Sequence, residues 1–274
     1  MKTLKWMTGM VLGTGLILVS CTSTDEELNQ PSETGQGQLT LSLSSGTTFA
    51  ANATRAVSEA NYKNVDNYTV IVTDKDGVEK LNCKGYEVAS KMPLTMSIGS
   101  YTVKAFYGTE SAASRNDFYV LGITEGTIKG AKEENVTVTC TPTCGRLKVA
   151  FDEEMATYFD NYEVSFTGTE ALGTNTISWL KDDTEPWYVK LNESEEKLTF
   201  TVTTTTKDDF LNKDNKQKVS TKNGSFTLSR NHAYKLNIKP NYTPTSMGDI
   251  EIDITIDETT NDKPVDIEVP IEWL

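Results

Sequence analysis

The sequence predicts an all-β protein made of two tandem β-sandwich domains, and three observations lead to that prediction. Apolar and polar residues alternate along most of the chain, as at Leu39, Leu41 and Leu43, which is typical of a strand with one buried face. Turn sequences such as Asp74-Lys75-Asp76-Gly77 separate the alternating runs. Helical periodicity is scarce, with one short candidate over residues 152–159. Short strands joined by turns favour immunoglobulin-like or transthyretin-like sandwiches.

The first set of alternating runs predicts an N-terminal sandwich over residues 38–143. Its runs cover residues 39–43, 68–72, 94–98, 101–107, 118–120 and 136–140. The run at 68–72 enters a tight turn, and the runs on either side of Gly99 follow each other closely, so both places are predicted to be hairpins. Pro142 and Gly145 then interrupt the alternation, which places the domain boundary there.

The second set predicts a C-terminal sandwich over residues 144–274. Its runs cover residues 147–151, 162–166, 187–191, 198–202, 226–228, 234–238, 250–256 and 267–273. The last run carries Ile267, Val269, Ile271 and Trp273 on one face and Pro270 on the other. Because proline has no N–H to donate to a ladder, this final strand is predicted to lie at a sheet edge, from which it could pair with a neighbouring molecule.

The N-terminus reads as a lipoprotein signal peptide over residues 1–20. Lys2 and Lys5 precede an apolar run that ends at Leu18-Val19-Ser20-Cys21, and this run is too short to span a bilayer. Cys21 is the predicted lipidation site, where acyl chains such as palmitate would anchor the protein to a membrane. Each buried methylene contributes about 0.8 kcal/mol, so more than one chain makes the anchor effectively permanent. Residues 21–37 are polar and are predicted to form a disordered tether.

The charge of the chain argues against one class of partner. The formal net charge is −13, and removal of the two signal-peptide lysines makes it −15. An acidic surface repels phosphate backbones, so no nucleic-acid partner is expected.

The cysteines are interpreted as structural. Once Cys21 is acylated, Cys83, Cys140 and Cys144 remain, which permits at most one disulfide and leaves its pairing open. Cys140 shares the phase of Val136 and Val138, and so it is predicted to be a buried, unreactive thiol.

No motif for catalysis or metal binding is recognisable. The chain has one histidine, His232, and lacks the Gly-x-Ser-x-Gly sequence of a nucleophile elbow. The spacing between Cys140 and Cys144 is not a zinc pattern, and the turn at 74–77 lacks the later glutamate of an EF-hand. We therefore predict no catalytic residue, no metal site and no cofactor, and we expect a protein that is not an enzyme.

The aromatic residues offer one candidate ligand contact. Trp187 is in phase with Val189 and Leu191 and is predicted to lie in the core. Tyr188 has the opposite phase, so it is predicted to be exposed and is the candidate for stacking on a glycan.

The chain also resembles a known family. The lipobox, the Ala53-Thr54-Arg55-Ala56 segment, NYTVIVTDKDG and MPLTMSIGSYTVKAFYG resemble surface lipoproteins of gut Bacteroidetes grouped as domain-of-unknown-function family 4493, which is similar to the fimbrillins. The acidic residues after Cys21 resemble the export signal of such lipoproteins. The resemblance implies an outer-membrane, cell-surface lipoprotein that acts as an adhesin or a pilus-associated subunit.

The resemblance to fimbrillins also implies a processing step. Arg55 would be the site of cleavage, Gln38 to Ser45 the strand that is lost, and Ile267 to Trp273 the strand donated to the next subunit. Two alternatives remain open at this stage. Arg55 could lie in a loop that stays intact, and the protein could bind host or dietary glycans as part of a polysaccharide-uptake system.

Overall fold

The computed structural model describes residues 35–49, 59–130, 132–207, 217–241 and 251–258. All of these residues fall within one compact unit, Thr34–Leu274. Among them, no helix has the length and apolar character needed to cross a membrane. The predictions for Cys21, for Arg55 and for the final strand with Ile267, Val269, Ile271 and Trp273 lie outside the described residues.

Strands account for most of the described structure. They are β1 (Gln36–Ser45), β2 (Thr69–Asp74), β3 (Glu79–Lys84), β4 (Leu94–Ser97), β5 (Gly99–Tyr107), β6 (Ala113–Ser114), β7 (Val120–Ile128), β8 (Glu133–Pro142), β9 (Cys144–Phe151), β10 (Phe159–Thr167), β11 (Ile177–Leu180), β12 (Trp187–Lys190), β13 (Glu195–Thr206), β14 (Val219–Ser229), β15 (Ala233–Asn241) and β16 (Glu251–Glu258). The all-β prediction is confirmed.

The helices are short and lie in connections. They are α1 (Glu59–Lys63), α2 (Val88–Lys91) and α3 (Met155–Tyr158), with single 3₁₀ turns at Val65–Asn67 and Gly85–Glu87. The helical turn predicted within 152–159 is therefore confirmed as α3, where Met155 is buried.

The N-terminal strands form a sheet in the order β3-β2-β5-β7-β8-β1-β4. Strand β8 pairs with β7 only at its end, through Thr141 and Pro142, but it pairs with β1 along eight residues. It thereby carries the chain from one part of the sheet to the other, and both parts contribute to one hydrophobic core. Buried members of this core include Leu39, Leu41, Val70, Val72, Tyr101, Val103, Val120 and Val138.

The C-terminal strands form two sheets around a second core. One sheet has the order β11-β10-β13-β14 and the other has the order β16-β15-β9-β12-β6. Buried members of the second core include Leu147, Val149, Val164, Phe166, Trp179, Val189, Phe200, Val202, Leu236 and Ile254. The alternation at 250–256 correctly predicted β16, because Ile252, Ile254 and Ile256 are buried.

The two sets of strands are not fully separate. Strand β6 comes from the N-terminal part of the chain, yet it pairs with β12 in the C-terminal sheet. Cys144, Tyr188 and Ala233 come from the C-terminal part, yet they pack in the first core. The division at residues 143 and 144 coincides with the gap between β8 and β9 and stays a prediction.

The hairpin predicted around Gly99 is wrong. Strand β4 pairs with β1, whereas β5 pairs with β2 and β7. Only Ile98 separates β4 from β5, which is too short for a two-residue hairpin turn. Gly99 instead has φ +135°, a conformation that residues with a Cβ rarely adopt, and the chain leaves one set of partners for another at this point.

Candidate functional site: the β1 slot and the Tyr188 junction

Strand β1 lies inside its sheet, between β8 and β4. It runs parallel to β8 from Gln38 to Ser45 and antiparallel to β4 from Gln36 to Leu39. Leu39 and Leu41 are buried in the first core, and Leu43 packs against it. We call the space that β1 fills, between β8 and β4 and over the first core, the β1 slot.

The outward face of β1 is polar. Ser42 and Ser44 each share a 2.8 Å hydrogen bond with a threonine hydroxyl of β8, and the Thr40 hydroxyl donates to Glu133 Oε1 at 2.6 Å. Cross-strand pairs of this kind contribute about 0.2–1 kcal/mol each. The slot is therefore apolar inside and lined by hydroxyl groups outside.

The backbone of β1 has a defined orientation in the slot. Gly46 N–H donates to Cys140 O at 2.8 Å, on the β8 side. Gly35 O accepts from Ile98 N–H at 3.0 Å, on the β4 side. Even-numbered residues, whose side chains face outward, thus aim their backbone groups at β8, and odd-numbered residues aim theirs toward β4.

Asn231 fastens the segment that follows β1. Its side-chain amide donates to Gly46 O at 2.7 Å, and its Oδ1 accepts from Thr48 N–H at 2.9 Å. The Thr48 hydroxyl also donates to Asn231 O. Asn231 has φ 61°, the left-handed conformation that asparagine tolerates better than most residues. A turn between β14 and β15 therefore holds the end of β1.

Phe49 ends this segment as a fully buried ring. Its centroid lies 5.4 Å from that of Phe118 and 5.9 Å from that of Tyr188. Phe118 and Tyr188 themselves stack, with centroids 4.7 Å apart. Phe49 lies beyond the end of β1 at Ser45, so the alternation of β1 could not have indicated its inward direction.

Glu59 begins the described chain again at α1 and is almost fully buried. Its Oε1 accepts a hydrogen bond from the Tyr188 hydroxyl at 2.9 Å and lies 3.1 Å from Arg146 Nε. Arg146 N–H at Nε points at no acceptor, so this contact is an ion pair without an aligned hydrogen bond. Glu59 Oε2 is buried with no partner in the described residues.

The electrostatics of this junction follow from burial. Burial raises the pKa of Glu59, and the nearby Arg146 charge and the Tyr188 hydrogen bond only partly oppose that rise. Burial also raises the pKa of Tyr188, and the adjacent Glu59 carboxylate adds to the effect. Nothing in the sequence pattern indicated this contact, because its members come from three distant segments.

The predicted exposure of Tyr188 is wrong. Tyr188 is 2% exposed and packs in the first core, whereas its neighbours Val189 and Leu191 pack in the second. Strand β12 has a hydrophobic core on each face, so opposite phase does not mean exposure here. A buried ring has no face to offer a sugar. Trp187, predicted to lie in the core, is partly buried and packs against the second core.

The cysteine prediction is confirmed for Cys140. It is fully buried, and burial raises the pKa of its thiol to about 12. Cys83 and Cys144 are also buried, free thiols. Within the described ranges, no three His, Cys, Asp or Glu side chains gather to hold a metal ion.

A second surface feature is a groove of about 340 Å³ beside the first core. Its lining includes Tyr62, Thr69, Lys84, Phe106, Tyr107 and Asp117. The Lys84 ammonium donates to the Thr69 hydroxyl at 3.1 Å, and the Tyr62 hydroxyl donates to Asp117. The groove thus combines aromatic rings with one cation and one carboxylate.

Comparison with known proteins decides the family. The family model described as "Domain of unknown function (DUF4493)" matches residues 35–271. The chain belongs to the DUF4493 family. The match includes β1, the segment with Arg55, and most of the tail that this DUF4493 chain carries after β16.

Two solved structures resemble this chain over most of its length. A fimbrial assembly protein from Parabacteroides distasonis is 12% identical, with a TM-score of 0.42 over 85% of this chain and 99% of its own. The fimbrial anchor protein Mfa2 from Porphyromonas gingivalis is 12% identical, with a TM-score of 0.42 over 82% of this chain and 98% of its own. No curated protein sequence matches.

Proposed function

We propose that this protein is a non-enzymatic, cell-surface lipoprotein that acts as a fimbrillin-like adhesin or pilus-associated subunit. The observation that carries the proposal is the placement of β1. This strand fills an internal slot, and the chain that follows it leads from buried Phe49 to buried Glu59 through the segment that contains Arg55. Cleavage at Arg55 would leave β1 as a separate peptide held only by non-covalent contacts.

Loss of β1 would create a strong binding surface. It would remove Leu39 and Leu41 from the first core and would expose the apolar side chains around them. It would also leave the backbone groups of β8 unpaired along eight residues. An unpaired backbone N–H or C=O group in apolar surroundings raises the free energy of the protein. Binding of another extended segment in the slot would therefore be favoured, because it pairs these groups again.

The two ends of the Arg55 segment behave differently on cleavage. Phe49 would leave with β1, whereas Glu59 would stay with the body, where Tyr188 and Arg146 hold it. The new N-terminus would therefore begin close to a fixed residue. This arrangement supports a body that keeps its fold at α1 while the slot opens.

The N-terminus of the chain would set the location of the protein. Acylation at Cys21 would anchor the protein to the outer membrane, and the polar residues 21–37 would carry the folded part away from the lipid surface. Other pilus subunits would then be the partners. Cleavage at Arg55, donation of the final strand and the division into two sandwiches are all parts of this proposal.

Controlled cleavage tests this function. Purified protein lacking the signal peptide would be treated with an arginine-specific protease, with an Arg55→Ala variant as the matched control. We expect ladders of oligomers on non-denaturing gels for the cleaved protein and monomers for the variant. Cleaved protein that stays monomeric would contradict the assembly function.

The groove beside the first core favours a second candidate function, binding of a glycan. Phe106 and Tyr107 offer aromatic surface, and Asp117 and Lys84 offer polar groups at its edge. Calorimetric titration against host and dietary polysaccharides would test it, with Phe106→Ala as the groove variant. Binding that Phe106→Ala abolishes would support this function, and absence of heat across the panel would remove it.

A further inference from the structure

The direction of a strand in the β1 slot determines which of its backbone groups face β8. The inference drawn from it rests on the proposed function, in which the final strand of a second copy takes the place of β1. Outward-facing residues of β1 aim their backbone groups at β8, as the bond from Gly46 N–H to Cys140 O demonstrates. A strand entering in the direction of β1 would meet the same requirement at every outward position.

The tail of this chain conflicts with that requirement at one residue. If Ile267, Val269 and Ile271 face the core, Pro270 takes an outward position. In a strand that runs in the direction of β1, the Pro270 nitrogen would face β8 at a position where a hydrogen-bond donor is needed. Proline has no N–H, and its ring would crowd the acceptor carbonyl, so such a strand would lose a central ladder bond.

Reversal of the strand removes the conflict. In a strand antiparallel to β8, the inward residues bond to β8 and the outward residues face the opposite side. The described pairing of β1 with β4 ends at Leu39, so an outward residue at the position of Ser42 faces no ladder partner there. Pro270 fits this position when Trp273 lies at the position of Leu39.

The two ends of the slot also differ in access. A Cβ at Gly37 would lie 2.4 Å from the backbone oxygen of Gly130, which cannot move aside as a side chain can. A Cβ at Gly46 would lie 2.9 Å from the Thr141 side-chain methyl, and its next neighbours, the Thr139 methyl at 3.5 Å and Cys140 O at 3.7 Å, are at ordinary contact distances. Residues 259–266, which would join the donated strand to its own subunit, contain no glycine. The Gly46 end is therefore the easier entrance.

We propose that the strand donated by a second copy of this chain runs antiparallel to β8, opposite in direction to β1. Its inward residues Trp273, Ile271, Val269 and Ile267 then lie at the positions of Leu39, Leu41, Leu43 and Ser45. In this register Glu272 lies beside Asn135 and Glu268 lies beside Thr139, because Thr40 pairs with Asn135 and Ser44 with Thr139. The opposite direction exchanges these two pairs.

Disulfide trapping between two full-length copies distinguishes the directions. One copy carries Asn135→Cys or Thr139→Cys, the other carries Glu268→Cys or Glu272→Cys, and both are cleaved at Arg55 while mixed. Neighbouring outward positions bring Cβ atoms to about 4.5–5.5 Å, close enough for a disulfide after small adjustment. The native thiols of Cys83, Cys140 and Cys144 are buried and are common to all variants.

We expect cross-linked dimers for Glu272→Cys with Asn135→Cys and for Glu268→Cys with Thr139→Cys. Cross-links in the exchanged pairs would overturn the direction while leaving the proposed function intact. Absence of oligomers in every mixture would overturn both the proposed function and the proposed direction.

Pro270→Ala provides an independent measurement. In the antiparallel strand the restored N–H faces no ladder partner, so the affinity of a peptide of residues 259–274 for the cleaved protein should change less than about two-fold. In the direction of β1 the same N–H would gain a bond to β8, and affinity would rise about five-fold or more. A rise of that size would overturn the proposed direction.

Discussion

The Tyr188 hydroxyl donates a hydrogen bond to Glu59 Oε1 at 2.9 Å, although the two residues lie 129 positions apart in the chain. The ring of Tyr188 also contacts Phe49, at the other flank of the segment that contains Arg55. One side chain of β12 thus holds both ends of that segment. Substitutions at this junction should therefore change the free energy of unfolding more than substitutions at exposed positions do.

Tyr188→Phe should lower the free energy of unfolding. The ring would keep its packing, but Glu59 Oε1 would lose its donor in a buried site, which costs about 1–3 kcal/mol. Urea denaturation followed by circular dichroism would measure the change. Tyr86→Phe is the matched control, because Tyr86 is 67% exposed, and it should have no measurable effect. Equal effects of the two variants would contradict the role of the hydrogen bond.

Glu59→Gln should change how stability depends on pH. The folded-state pKa of Glu59 is raised above the ordinary value of 4.5, so between those two pKa values the native state binds more protons than the unfolded state. The contribution of Glu59 to stability is therefore present below 4.5 and is lost as pH rises through the folded pKa. The groups that act on this carboxyl are Arg146, Tyr188 and Lys63.

Urea denaturation of wild type and Glu59→Gln across this pH range would check that slope. The variant should lack the decline in stability that Glu59 causes, and the difference between the two proteins should vary with pH. Glu125→Gln, at an exposed position, serves as the control. A constant difference across the range would mean that Glu59 does not titrate as inferred.

Leu41→Ala should destabilise the intact protein by about 2–5 kcal/mol, the usual cost of truncating a buried leucine. Leu41 is 5% exposed and lies on the inner face of β1. Ile123→Ala is the control, since Ile123 is 57% exposed, and its effect should stay within about 0.5 kcal/mol. Thermal and urea unfolding would report both, and a small effect at Leu41 would show that β1 contributes little to the core.

Asn231→Gly tests the side-chain hydrogen bonds of Asn231 separately from its left-handed backbone conformation. Glycine tolerates φ 61° but lacks the side-chain amide that bonds to Gly46 O and to Thr48 N–H. Hydrogen exchange at Thr48 N–H should accelerate in this variant, because its acceptor Asn231 Oδ1 is gone. Asn231→Ala should add backbone strain, so it should be less stable than Asn231→Gly. Unchanged exchange at Thr48 would contradict the fastening role of Asn231.

Local alternation predicted a large part of this fold. It identified β1, β5 and β16 and the inward direction of Cys140, because a period of two reports which residues share a face. It could not report pairing between strands that are distant in the chain. The parallel pairing of β1 with β8 joins Gln38 to Glu133, and no local signal encodes such a contact.

The failure at Tyr188 has a related cause. Phase assigns a residue to one face of a strand, but it does not reveal whether that face meets water or a second core. Strand β12 has cores on both faces, and so the inference from phase to exposure fails there. The Glu59 and Arg146 contact was equally inaccessible, since it depends on how α1 packs against β9.

The position of β1 ahead of the Arg55 segment also determines what happens to attachment at the membrane. Under the proposed anchoring, a cut at Arg55 breaks every covalent link between the lipid and the body. The cleaved molecule is then attached to the membrane only through the non-covalent contacts of β1 with β8 and β4. A second subunit whose strand displaces β1 therefore also detaches the body from the lipid anchor. A polymer built in this way must be held to the cell by a copy whose Arg55 bond is intact.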